Sequence, residues 1–371
     1  MKVKITRVEI IPTLIKLNEP FVISKGALTH AKNTIVIIHC DQGLYGTGEC
    51  CPYRSIHGET QEGTVAVGKA IGEAMIGLNP LHIAKLNTLM NKIIVGNASI
   101  KCAFDMALVD LGAKLAERPL YEYLGGSIDK KIYTDMTVSI LEKEKMAEKA
   151  SKYAEQGFPF LKVKLGDRRK RADIDRMAAI RAAIGNDIPI RIDANQGWNY
   201  QIAQETLDGI QGMNIEHCEE PVPAWNIIDQ AKLNQSSPIP IMADEAVFNH
   251  HDAYQILASD AATMINIKLG KAGGITNAMK IGAIAEAADV LCQVGSFSES
   301  RIGITALVHF SYAWSHIQFY DLDSPLMLSE DPVEGGLKYN DDWEVTIDDT
   351  PGHGATIDRR FLEKFEIITL T

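Results

Sequence analysis

The sequence predicts an α/β fold: a modified TIM barrel, (β/α)7β, with an N-terminal α+β capping domain completed by the C-terminal segment. Three observations predict it. From about residue 131, short apolar runs recur every 24–29 residues, centred near Met136, Val163, Ile192, His217, Ala243, Ile267, Gln293 and Phe319. Segments with helical spacing lie between them, which is the rhythm of a (β/α) barrel. Residues 1–125 instead run strands first and helices after, an α+β pattern.

Taken in order, KVKITRVEII and NTIVIIHC alternate like strands around a polar loop, and GLYGTGEC reads as a Gly-rich turn. A helical stretch from about Gly63 to Leu124 breaks at Gly77-Leu78-Asn79-Pro80 and at Gly96-Asn97. In the barrel, six helical segments are legible: LEKEKMAEKASKYAEQ, RKRADIDRMAAIRAAI, IAQETLDGI, HDAYQILA, ITNAMKIGAIAEAA and GITALVHFSYAW. The eighth strand, IQFYDLD, is followed by no clear helix. EGGLKYNDDWEV and FEIITLT are further strand-like runs, and we read them as a return to the first domain. The expected division is 1–125 for the cap, 126–323 for the barrel and 324–371 for the returning segment.

The strand ends carry the chemistry. Lys162 and Lys164 close FLKVKLG, Asp193 closes IRIDANQ, Glu219 lies in IEHCEEP, Asp244 in IMADEA and Lys268 in INIKLGKAGG. Period-2 alternation turns Lys162 and Lys164 to one side, and likewise Asp321 and Asp323 on strand eight. Carboxyl ends of barrel strands share one mouth. Three carboxylates about 4 Å apart repel by roughly 4 kcal/mol per pair at an effective dielectric near 20, so they need a cation or must take up protons. All-oxygen ligation favours a hard ion, Mg²⁺ above all. Such an ion can hold a substrate carboxylate and stabilise the enolate formed when the adjacent C–H ionises. Lys162 and the metal would lower the basicity of Lys164 towards neutrality. Lys268 would approach from the opposite face, and two bases on opposite faces of one carbon invert a stereocentre. Glu220 and Glu245 alternate away, into contacts behind the ligands.

Composition bounds the rest. The net charge of −11 on 371 residues offers no basic stripe for nucleic acid. No apolar run approaches the roughly 20 residues of a membrane span. The first residues lack the apolar core of a signal peptide, so the chain reads as cytoplasmic. Six cysteines show no metal-ligand spacing and read as buried free thiols.

As a set, KVK, DAN, EEP, DE and KLGKAGG resemble the enolase superfamily, in its muconate-lactonizing subgroup, over essentially the whole chain. The resemblance implies Mg²⁺ on Asp193, Glu219 and Asp244, acid/base catalysis by Lys164 and Lys268, assistance from Lys162, and a homo-oligomer. DLDSPLML is similar to the DxD signature of dipeptide epimerases, whose two aspartates hold the substrate's α-ammonium. Thr137, Phe297, Ser298 and Glu299 match positions that line the substrate pocket. The closing cap elements would be residues 20–30 and 54–59. Epimerases acting on Ala-Glu place an arginine in the first of these. Here PFVISKGALTH has Lys25, a point charge without the bidentate fork. Small or apolar dipeptides are therefore at least as suitable as acidic ones. The expected activity is epimerisation of dipeptides at the C-terminal residue. Racemisation of N-acylamino acids, o-succinylbenzoate synthesis and non-catalytic binding of a metal or amino acid remain open.

Overall fold

Alternation in the first forty residues produces a long antiparallel hairpin, β1 (Ile5–Ile23) and β2 (Gly26–Cys40). A computed structural model of the chain describes residues 3–169 and 171–371. The hairpin is apolar on both faces. Val8, Ile10, Val36 and Ile38 pack with the cap helices, while Ile11, Ile15, Ile35 and Ile37 pack with Phe361 and Leu362 from the tail. The stretch read as a polar loop is therefore mostly strand, with a turn only at Ser24 and Lys25. An irregularity between Lys16 and Phe21 bends its tip.

GLYGTGEC is not a turn. It forms β3 (Tyr45–Cys50), paired with β2. Its glycines serve close approach: a Cβ on Gly46 or Gly48 would stand 2.0 Å from a backbone carbonyl of the third cap helix. That helix, α3 (Ala98–Leu115), follows α1 (Gln61–Met75) and α2 (Ile83–Ile93). The breaks fall at Gly77 and Gly96, both at positive φ.

Eight parallel strands follow: β4 (Met136–Val138), β5 (Leu161–Lys164), β6 (Ile190–Asp193), β7 (Ile215–Glu219), β8 (Ile241–Ala243), β9 (Met264–Ile267), β10 (Leu291–Val294) and β11 (Ile317–Tyr320). Each ladders to the next in chain order. Among the described residues no ladder joins β4 to β11, so the barrel has a seam there. A helix at Ile227–Ser236 separates β7 from β8, where no helical segment was legible. It buries only Gln230 and Leu233, too little apolar surface to leave a periodic signal.

The tail divides. Ile368–Leu370 adds to the cap sheet antiparallel to β1, pairing Leu370 with Val8. Before it, Val333–Gly335 pairs with Ala355–Ile357, and Lys338–Tyr339 with Val345–Thr346. Trp343 in that region stacks on Phe158 with ring centroids 3.8 Å apart, so this part covers the barrel flank. All six cysteines are buried and free, and no helix among the described residues is long and apolar enough to cross a membrane.

Candidate active site

Inward alternation stacks polar side chains in the barrel in layers. Lys162 and Lys164 on β5, Asp193 on β6, Glu219 on β7, Asp244 just after β8 and Lys268 just after β9 meet at the mouth, all buried. One oxygen each from Asp193, Glu219 and Asp244 lie within 4.8 Å of one another. That is a compact, water-poor, all-oxygen donor set, and it fits a hard divalent cation.

Lysines surround it. Lys164 Nζ lies 2.6 Å from Asp193, Lys162 Nζ 2.7 Å from Glu219, Lys268 Nζ 2.9 Å from Asp244 and Lys271 Nζ 2.5 Å from the other Asp244 oxygen. By strand order Lys164 and Lys268 flank the acids, one on each side. Burial and Asp193 would raise the Glu219 carboxyl, but Lys162, Lys268 and Lys164 bring it down to about 2. Burial alone would lower Lys162 and Lys268. The carboxylates overcome it and hold both ammonium groups above the usual lysine range, Lys162 through Asp321 and Glu219, Lys268 through Asp244 and Glu219. A cation held by the three acids would oppose that pull on Lys162 and Lys268.

Behind the acids, Glu220 Oε2 accepts from the Asp244 and Ala246 amides, and Glu245 Oε1 accepts from Asn195 Nδ2. Asn195, Gln196 and Glu220 all adopt positive φ, at 42°, 64° and 36°. Three strained non-glycine residues directly after two strand ends mark backbone that the surroundings hold in place for the side chains before it.

Asp321 and Asp323 follow β11 at the seam. Asp321 Oδ2 accepts from Lys162 Nζ at 2.7 Å, and Asp323 Oδ2 accepts from the Thr137 amide at 2.8 Å. The two carboxyls split. Burial would raise Asp321, but Lys162 and Lys164 lower it; burial and Asp321 push Asp323 well up.

Phe21, Ile23, Tyr53, Ile56 and Met327 roof Lys164, Lys268, Asp321 and Asp323, and the cavity left among them is 30 Å³, far below the roughly 300–1,000 Å³ of a small-molecule pocket. Room for a substrate requires the roof to move. A neighbouring groove of 1170 Å³ shares Phe21, Thr137 and Met327 with it. Polar contacts tie the roof down: Ser24 Oγ donates to the Asn195 carbonyl at 2.8 Å, the Ile140 amide donates to the Val22 carbonyl at 3.0 Å, Asn18 Nδ2 donates to the Leu326 and Leu328 carbonyls, and Glu19 pairs with Lys149.

Of the pocket residues expected from the sequence, Thr137 and Phe297 line this cleft. The Phe297 ring lies 4.8 Å from Lys268 Nζ. Ser298 and Glu299 stand behind it. The Ser298 carbonyl accepts from Asn33 on the cap, and Glu299 accepts from the Phe297 amide at 2.6 Å. Burial and the nearby Glu49 raise the Glu299 carboxyl to about 7. Lys25 is exposed at the hairpin tip and is not among the lining residues; Phe21 and Ile23 face the cleft instead. Asp135 and Tyr53 escaped the sequence reading, whereas Ile56 lies in the cap segment 54–59 that it marked. Asp135 was in principle legible, since it precedes Thr137 by two and so shares its face.

An α+β cap over a (β/α)7β barrel, with acids between lysines at the strand ends, defines an enolase-superfamily fold. Residues 5–125 match the mandelate racemase / muconate lactonizing enzyme N-terminal domain, and residues 145–361 the enolase C-terminal domain-like family. The chain belongs to the mandelate racemase/muconate lactonizing enzyme family, and it is an enzyme of the isomerase class. It is 45% identical to a D-Ala-D/L-Ala epimerase of Cytophaga hutchinsonii over 99% of both chains. A hydrophobic dipeptide epimerase of Enterococcus faecalis is 39% identical over 90% of this chain and 94% of its own. A solved dipeptide epimerase from Cytophaga hutchinsonii, complexed with Mg and D-Ala-L-Val, superposes with a TM-score of 0.98 at 44% identity, covering 99% of this chain and all of that one.

Proposed function

We propose that this protein is an Mg²⁺-dependent dipeptide epimerase acting at the α-carbon of the C-terminal residue, with small or apolar dipeptides as its preferred substrates. The observation that carries the reading is the placing of Lys164 and Lys268 on opposite sides of one acidic triad, in the same cleft as Asp321 and Asp323. The named relatives act on, or are solved with, dipeptides of small and hydrophobic residues, which supports the substrate class.

Asp193, Glu219 and Asp244 would hold Mg²⁺, which supplies positive charge to the substrate carboxylate and makes the adjacent C–H acidic. Asp321 and Asp323 orient the substrate by its ammonium. Lys164 Nζ takes or returns the α-proton on one face and Lys268 Nζ on the other. For the proton balance to close, the lysine that takes the α-proton starts neutral and the lysine that returns one starts charged. Lys162 stays charged between Glu219 and Asp321 and ties the metal ligands to the ammonium site. Phe21, beside Lys164, and Phe297, beside Lys268, keep water from both bases.

The test is incubation with Mg²⁺ and L,L-dipeptides in D₂O, followed by mass and chirality at the C-terminal residue. Exchange with inversion is the expected result. Exchange on N-acylamino acids but on no dipeptide would replace this reading with N-acylamino acid racemisation. Asp321→Asn and Asp323→Asn should lose dipeptide activity while binding Mg²⁺ normally.

A further inference from the structure

The seam between β4 and β11 is crossed by side chains. Arg191, inward on β6 and buried, donates from Nη1 to the Tyr320 carbonyl at the end of β11, 2.7 Å away, and to Asp135 Oδ2 at the start of β4, 3.1 Å away. Its guanidinium lies 4.5 Å from the Phe160 ring centroid, and its Nε donates to Glu216 at 2.8 Å. Asp135 is completely buried and comes within 4.8 Å of both Asp321 and Asp323. Its second oxygen, Oδ1, is buried with no hydrogen-bond partner among the described residues.

Four carboxylates (Asp135, Glu216, Asp321 and Asp323) therefore meet two cations, Arg191 and Lys162, and Lys162 is shared with Asp193 and Glu219. With all four ionised, the cluster would be two positive charges short. Burial and Asp321 accordingly raise the Asp135 carboxyl to about 7 against the pull of Arg191, and Asp323 is raised in the same sense. A group brought in beside Asp321 and Asp323 is favoured if it is cationic and disfavoured if it is neutral.

We propose that Asp135 is the third carboxylate of the ammonium site: it acts from beneath Asp321 and Asp323 as a positioning residue that makes the site select a free, charged N-terminus over an N-acylated one. The proposal rests on the dipeptide reading for its substrate, but not on turnover.

The Mg²⁺-loaded protein is titrated by calorimetry with L-Ala-L-Ala and with N-acetyl-L-Ala-L-Ala, and α-proton exchange is scored in the same samples. The wild type is expected to prefer the free amine by at least 100-fold. Asp135→Asn should cut that preference at least tenfold, through KM more than kcat, with Mg²⁺ affinity unchanged. Glu216→Gln, at the partly exposed outer end of Arg191, frees that charge to neutralise Asp135 and should cut the preference two- to threefold without touching the core of the seam. A preference unchanged in both variants, a wild type with no preference, or an equal loss on both ligands, as a merely structural role would give, overturns the proposal. A protein that binds with the stated preference but exchanges no proton overturns the epimerase reading and leaves this one standing.

Discussion

Replacing Lys268 by methionine keeps the length of the side chain and removes its ammonium. Lys268 Nζ lies 2.9 Å from Asp244 and 3.9 Å from Glu219. Asp244 retains Lys271 at 2.5 Å, and Glu219 retains Lys162 at 2.7 Å. The proposed metal ligands therefore stay partnered, and the loss falls on proton transfer. A positioned acid/base contributes about 10²–10⁴ in rate, or about 3–5 kcal/mol of barrier, so net epimerisation should fall by that factor. Lys164 is untouched beside Asp193. One epimer should then still exchange its α-proton with solvent at near the wild-type rate, while the other does not. NMR in D₂O, started from each epimer separately, reads both rates. Equal loss of exchange from the two epimers, with Mg²⁺ affinity unchanged, would refute the assignment of one lysine to each face.

Three further outcomes are expected. Mg²⁺ should raise the thermal midpoint, by the equivalent of about 2.7 kcal/mol at a hundredfold excess over Kd, and Asp244→Asn should abolish the shift; a midpoint indifferent to Mg²⁺ would discount the triad as a cation site. Glu299 has a carboxyl raised to about 7, so the fold binds its proton more tightly than the unfolded chain does. The stability it contributes is complete below pH 4, where both states are protonated, and is lost as pH rises to 7; thermal melts at pH 5 and pH 8 should show Glu299→Gln losing less than wild type over that window. Gly48→Ala would place a methyl 2.0 Å from the Ala103 carbonyl, which forces β3 off α3 and should cost several kcal/mol in urea unfolding; a cost under about 0.5 kcal/mol would show that the cap sheet moves freely.

The barrel was legible because its signal is periodic and its strands are buried on both faces, which leaves plain apolar runs ending in charge. The helix at Ile227–Ser236 was not, because two buried side chains make no pattern. The β3 strand was hidden by its own glycines, which serve an approach of helix to sheet and so look like turn residues. At the mouth, the strand-end acids and lysines could be placed by alternation alone. Lys25 could not: a hairpin tip has no periodicity to say which way a side chain faces, and there the cleft is lined by Phe21 and Ile23. Asp135 shares the inward face of Thr137 by alternation, but its nearness to Asp321 and Asp323 comes from the opposite end of the barrel sequence, which alternation along one strand does not show.

The pairing of Leu370 with Val8 has a consequence for how the molecule is made. The cap's outermost strand is synthesised some 360 residues after the strand it joins, and Phe361 and Leu362, which cover one face of the hairpin, arrive almost as late. During translation the hairpin, with its two apolar faces, must wait half-covered while the barrel is produced, so native closure of the cap is among the last steps of folding. A chaperone that binds extended apolar segments would meet this protein at its amino-terminal hairpin, well before its catalytic end exists.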